Sequence, residues 1–113
     1  MIRRLFALTL LLSTAAQAQP PQLTPAQRAH VQALGRALAT CHGQQAQRLA
    51  HLALSIPQVT DRVLTACAAR EAPIRAEVTR IYGPNAPRAI AAQRAHYREV
   101  IGQMVAQARA RAR

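Results

Sequence analysis

The residues of this chain best suited to chemistry are its two cysteines, Cys41 and Cys67. Two thiols in an oxidising compartment pair as one disulfide. The strongest turn signal between them, residues 54–57, lies at their midpoint. Helices leaving this turn in opposite directions place both cysteines at the same height, so the sequence predicts a Cys41–Cys67 disulfide. A bridge closing a loop of this length stabilises a fold by roughly 3–4 kcal/mol.

The four histidines are not spaced as metal ligands. Ligands on one helix face lie three or four residues apart, and no pair among His30, His42, His51 and His96 does so. Cys41 and His42 lack the preceding cysteine of a c-type haem attachment site. We therefore expect no metal, no haem and no other cofactor, and we expect these histidines to lie partly exposed on helix surfaces.

The remaining polar residues do not form a catalytic set. Ser55, the only serine after the first eighteen residues, stands where a helix needs a cap. Glu71 can pair with Arg75 at ordinary helical spacing. Glu77 can pair with Arg80 in the same way. With both cysteines oxidised, no nucleophile–base arrangement remains, and the sequence predicts a protein without enzymatic activity.

Arginine supplies all fifteen basic residues, against four acidic ones, and the formal net charge is +11. Guanidinium groups suit phosphate and carboxylate. Outside the cytoplasm, the anions available are lipopolysaccharide phosphates, lipid head groups and cell-wall acids. Nucleic acid is not expected, because the chain lacks the aromatic platforms on which single strands stack. Alternatively, arginine simply replaces lysine through compositional bias and keeps the surface soluble.

Residues 1–18 have the pattern of a secretory signal peptide. Arg3 and Arg4 precede an apolar run over residues 5–15, and residues 16–18 form a small-x-small cleavage site. The apolar run is shorter than the roughly 20 residues of a membrane helix. We expect cleavage after Ala18, no transmembrane segment after cleavage, and one domain of residues 19–113 that is periplasmic or secreted.

Two capping boxes mark the starts of helices in that domain. Thr24 is followed three residues later by Gln27, and Ser55 by Gln58. Each pair precedes apolar residues at helical spacing, and no stretch alternates as a strand would.

The second helical segment contains Pro73, which either kinks it or splits it. Gly83 and Pro84 end the segment, and Asn85 caps a third one. The basic tail, residues 108–113, is expected to fray. The predicted fold is all-α, a three-helix arrangement whose first helical hairpin is cross-linked by the disulfide.

The core of such a domain would be thin. Alanine is abundant, and Tyr82 and Tyr97 are the only aromatic residues after the leader. Alanine favours helix but buries little area. A domain of this kind usually depends on a cross-link or a partner, so we expect a protein partner or a homo-oligomer.

Two resemblances bear on function. Residues 23–27, Leu-Thr-Pro-Ala-Gln, resemble the Leu-Thr-x-x-Gln motif of the Spy/CpxP-like periplasmic proteins, and this implies a chaperone or stress sensor with an apolar concave surface. Residues 57–67, with Cys41 upstream and an export signal, resemble small secreted bacterial two-cysteine helical proteins of unknown function. That second resemblance implies an architecture and no chemistry.

Together, these observations favour a non-catalytic exported helical protein that serves as a structural or protein-interaction module of the cell envelope. One alternative is a binder of anionic envelope components through its arginine-rich surface. The other is a Spy-like chaperone or stress sensor. The arginines available to the first alternative are Arg28, Arg36, Arg48, Arg62, Arg70, Arg75, Arg80, Arg88, Arg94, Arg98, Arg109, Arg111 and Arg113.

Overall fold

A computed structural model describes residues 22–113, and the predicted signal peptide lies outside this range. The described part is all-α, as the sequence predicts. Its elements are α1 (Pro25–Leu49), α2 (Ile56–Ala66), α3 (Ala68–Tyr82), a short 3₁₀ helix (Gly83–Asn85) and α4 (Ala86–Arg111). Helices α2 and α3 together form the second arm of a three-helix arrangement.

Both predicted capping boxes are present. The Gln27 N–H donates to Thr24 Oγ1 over 3.1 Å, and the Thr24 N–H donates to the Gln27 side chain over 2.9 Å. Ser55 and Gln58 repeat the same exchange at the start of α2. Each box satisfies amide groups that a helix start leaves unpaired, which is why α1 and α2 begin where they do.

The second arm is divided at Cys67, and Pro73 lies inside α3. Cys67 has φ −100° and ψ 8°, between the end of α2 and the start of α3. Pro73 lacks the N–H that would bond to the carbonyl of Ala69, which weakens the preceding turn. The chain leaves helical geometry six residues before Pro73, at Cys67, whose side chain is bonded to α1.

Helix α3 ends at Gly83, as predicted, and this glycine has a positive φ of 54°. Glycine adopts that conformation without the steric cost that a side chain brings. Asn85 precedes α4 but makes no side-chain capping bond. Where the sequence predicts a frayed basic tail, α4 continues as helix to Arg111.

The three arms enclose a core of small apolar residues. Helices α1 and α4 run parallel, and the α2–α3 arm runs antiparallel to both. Thr60 is buried in this core, and its hydroxyl has no hydrogen-bond partner. The largest fully buried side chains are those of Leu38, Val59, Val63, Cys67, Ile101 and Val105.

Candidate functional site

The disulfide joins α1 to the junction between α2 and α3. Cys41 and Cys67 are bonded, and their Cα atoms lie 5.9 Å apart. Cys67 is 1% exposed, whereas Cys41 is half-buried. The predicted pairing is confirmed. Because the sequence has only these two cysteines, no thiol is left for nucleophilic or redox chemistry while the bridge is intact.

His42 lies in the core beside the disulfide, and the expectation of a surface position is wrong for this histidine. It is 5% exposed and packs edge-on against Tyr97 of α4. Burial lowers the pKa of His42, and the nearby Glu71 carboxylate opposes this by raising it. His42 follows buried Leu38 by four residues, which places both on the same face of α1. This spacing was the sequence signal for a buried histidine.

Tyr97 shares these surroundings. Burial raises the pKa of its phenol, and the Glu71 carboxylate raises it further. Tyr97 is therefore a neutral packing group for His42 at neutral pH.

Glu71 is a buried carboxylate held by two arginines. Its Oε1 lies 3.4 Å from Arg75 on α3 and 3.8 Å from Arg94 on α4. The Arg75 pair is predicted from sequence spacing, and the Arg94 contact is not. An open cleft of about 530 Å³ lies beside them and is lined by both arginines, Leu64, Ala68 and Thr79. The cleft offers arginine side chains, a paired carboxylate and threonine hydroxyls.

Two further carboxylates are also paired. Asp61 of α2 accepts from Arg98 of α4 over 2.6 Å. Glu77 bonds to Arg80, as the spacing predicts, and lies 3.8 Å from His30. Three of the four acidic residues are thus paired, and four arginines make these pairs.

Most of the arginines have no such partner. Within residues 22–113, eight arginines are exposed and make no ion pair with a carboxylate. They are distributed over α1, α2, α3, α4 and the C-terminal residues. These residues are Arg28, Arg36, Arg48, Arg62, Arg70, Arg88, Arg111 and Arg113.

Arg109 has a different role, which the sequence did not indicate. Its Nε donates to the Ala50 carbonyl over 2.8 Å. Its terminal nitrogen donates to the carbonyls of Leu52 and Leu54, over 3.0 and 2.6 Å. One guanidinium therefore fixes the α1–α2 loop to the last turns of α4.

The other candidate residues are dispersed. His51 and His96 are exposed, and Ser55 acts as the cap of α2. In the described part of the chain, no three His, Cys, Asp or Glu side chains lie close enough to hold a metal ion. Between Gln22 and Arg113, no helix is both long enough and apolar enough to cross a membrane.

Comparison with protein-family models, curated proteins and solved structures gives no match.

Proposed function

We propose that this protein works outside the cytoplasm as a non-catalytic helical module of the cell envelope, and that its partner is anionic. The observation that carries the proposal is the set of eight exposed arginines that, within residues 22–113, make no ion pair with a carboxylate. Such a surface attracts polyanions over a distance, and the guanidinium fork then binds phosphate or carboxylate.

The buried groups support a binding role over a catalytic one. The cysteines are bonded to each other, and Glu71 is held by Arg75 and Arg94. The disulfide is also consistent with a protein exported to an oxidising compartment. A cross-linked bundle offers a rigid display of charge, which reduces the entropy lost on binding.

The test is titration of the protein, in the form its host produces, with soluble inorganic polyphosphate at low and at physiological ionic strength. We expect binding that weakens steeply as salt screens the arginines. Absence of binding at low salt contradicts the proposal. A salt-insensitive homodimer in native mass spectrometry, with no polyphosphate binding, would identify a second copy of the chain as the partner instead.

A further inference from the structure

One end of the bundle combines positive charge with apolar side chains. Helices α1 and α4 both end there, and the α1–α2 loop lies between them because Arg109 bonds to its carbonyls. We call this end the basic tip and define it as the loop residues 50–55 with the three exposed arginines around them, Arg48, Arg111 and Arg113.

The charge of the basic tip is not balanced locally. The sequence has no acidic residue in 43–60 or in 100–113. The nearest acidic residue after the loop, Asp61, is bonded to Arg98. Arginines in the last turn of a helix are favoured by the helix dipole, which accounts in part for Arg48 and Arg111. Arg113 lies beyond the end of α4, and all three arginines remain exposed.

Four of the six loop residues are apolar, and the other two, His51 and Ser55, are exposed polar residues. Leu52 and Leu54 are half-buried and Ala53 is exposed. These leucines present part of their surface to solvent, next to cationic groups. Apolar surface beside arginines is the composition of a peripheral membrane-binding site.

Part of the backbone of the loop, at Ala50, Leu52 and Leu54, is hydrogen-bonded within the protein. Arg109 occupies the carbonyls of Ala50, Leu52 and Leu54. The N–H of Leu52 donates to Leu49, and that of Leu54 donates to Leu52. Unpaired backbone groups are the main cost of moving a loop into an apolar medium. Here the bonds at Ala50, Leu52 and Leu54 reduce that cost before the loop meets a membrane.

We propose that the basic tip docks onto a bilayer whose lipid head groups carry phosphate. The side chains of Leu52 and Ala53 enter the interface, while Arg48, Arg111 and Arg113 contact the phosphates. Leu54 stays packed against the core. This inference rests on the proposed function, because it identifies the anionic partner as a lipid surface.

Tryptophan fluorescence tests the orientation, since the natural chain contains no tryptophan. Ala53→Trp places one at the basic tip. Ala91→Trp, at another exposed alanine, places one near the start of α4, about 27 Å along the helix from Arg109 at 1.5 Å per residue. With vesicles of phosphatidylglycerol and phosphatidylcholine, we expect a blue shift for Ala53→Trp and none for Ala91→Trp. Equal shifts, or no shift for Ala53→Trp, would overturn the proposal.

Removal of the arginine charges is the second test of the proposal. The triple variant Arg48→Gln, Arg111→Gln and Arg113→Gln should weaken vesicle binding on the order of 100-fold, at about fivefold per arginine. A matched variant removes three exposed arginines elsewhere, Arg28, Arg36 and Arg88, and should bind vesicles far more strongly than the tip variant. Equal losses in both variants would overturn docking by the tip.

Soluble polyphosphate distinguishes membrane docking by the basic tip from the proposed anion-binding function. Polyphosphate binding without vesicle binding overturns membrane docking and leaves the anion-binding function standing. Failure to bind either probe overturns both.

Discussion

The imidazole of His42 lies edge-on against the phenol ring of Tyr97, with ring centroids 5.3 Å apart and an angle of 63° between the planes. This pair joins α1 to α4 directly beside the disulfide that joins α1 to the second arm. All three arms therefore meet at one level of the bundle, around a histidine that burial keeps neutral.

The buried histidine predicts a loss of stability in acid. Because burial lowers the pKa of His42 below its ordinary value of 6.5, the unfolded chain binds a proton more readily than the folded protein. Stability then falls as the pH drops below about 6.5, until the folded-state pKa is passed. Urea unfolding between pH 7.5 and 5 measures this, and His42→Phe should flatten the profile in that range. His96→Gln, at an exposed position, should leave the pH profile of stability unchanged. A His42→Phe profile identical to that of the unsubstituted protein would contradict the assignment of the acid sensitivity to His42.

Reduction of the disulfide should destabilise the protein by roughly 3–4 kcal/mol, because the unfolded chain regains the entropy of the 26-residue span between the cysteines. Thermal unfolding with and without a dithiol measures the effect. The Cys41→Ala, Cys67→Ala double variant should match the reduced protein and be insensitive to the dithiol. A melting temperature unaffected by reduction would show that the bridge does not support the fold.

Arg109→Gln should lower the free energy of unfolding by about 2–3 kcal/mol, since three loop carbonyls lose a charged donor. Arg111→Gln removes the same charge two residues away without removing these bonds, and should change stability by less than about 0.5 kcal/mol. Chemical denaturation of both variants makes the comparison. Equal losses of stability in the two variants would mean that positive charge at the end of α4 stabilises the protein and the three hydrogen bonds do not.

Thr60→Val should stabilise the protein by about 1 kcal/mol. The threonine hydroxyl is buried without a partner, and valine has nearly the same shape without the polar atom. Thr65→Val is the matched control, because the Thr65 hydroxyl is exposed and bonds to the Asp61 carbonyl. A drop in the melting temperature of Thr60→Val would indicate that the hydroxyl has a partner in solution, such as a buried water.

Features encoded by neighbouring residues could be predicted from the sequence. The capping boxes at Thr24 and Ser55 and the stop at Gly83 depend on side chains within one turn. The disulfide followed from a turn midway between two cysteines. In each case, a short pattern determines the geometry.

The contacts made by α4 could not be predicted in this way. Arg109 reaches carbonyls more than fifty residues earlier in the chain, and Arg98 meets Asp61 across 37 residues. Such pairs form only after the three arms have packed. From the sequence alone, several arginines could have made each of these contacts. The break lies at Cys67 and not at Pro73, and Cys67 is the residue that is bonded to α1 across 26 positions.

The arginines in the last turn of α4 have a practical consequence for measuring local order. Trypsin cuts the peptide bond that follows an arginine, so Arg109 and Arg111 each mark a bond that it can cut. Proteolysis follows the opening of the segment that contains the bond. Arg111 stands exposed at the end of α4, whereas the bond after Arg109 becomes accessible only when the guanidinium releases the α1–α2 loop. The order in which trypsin removes the C-terminal residues therefore records how firmly that loop is held.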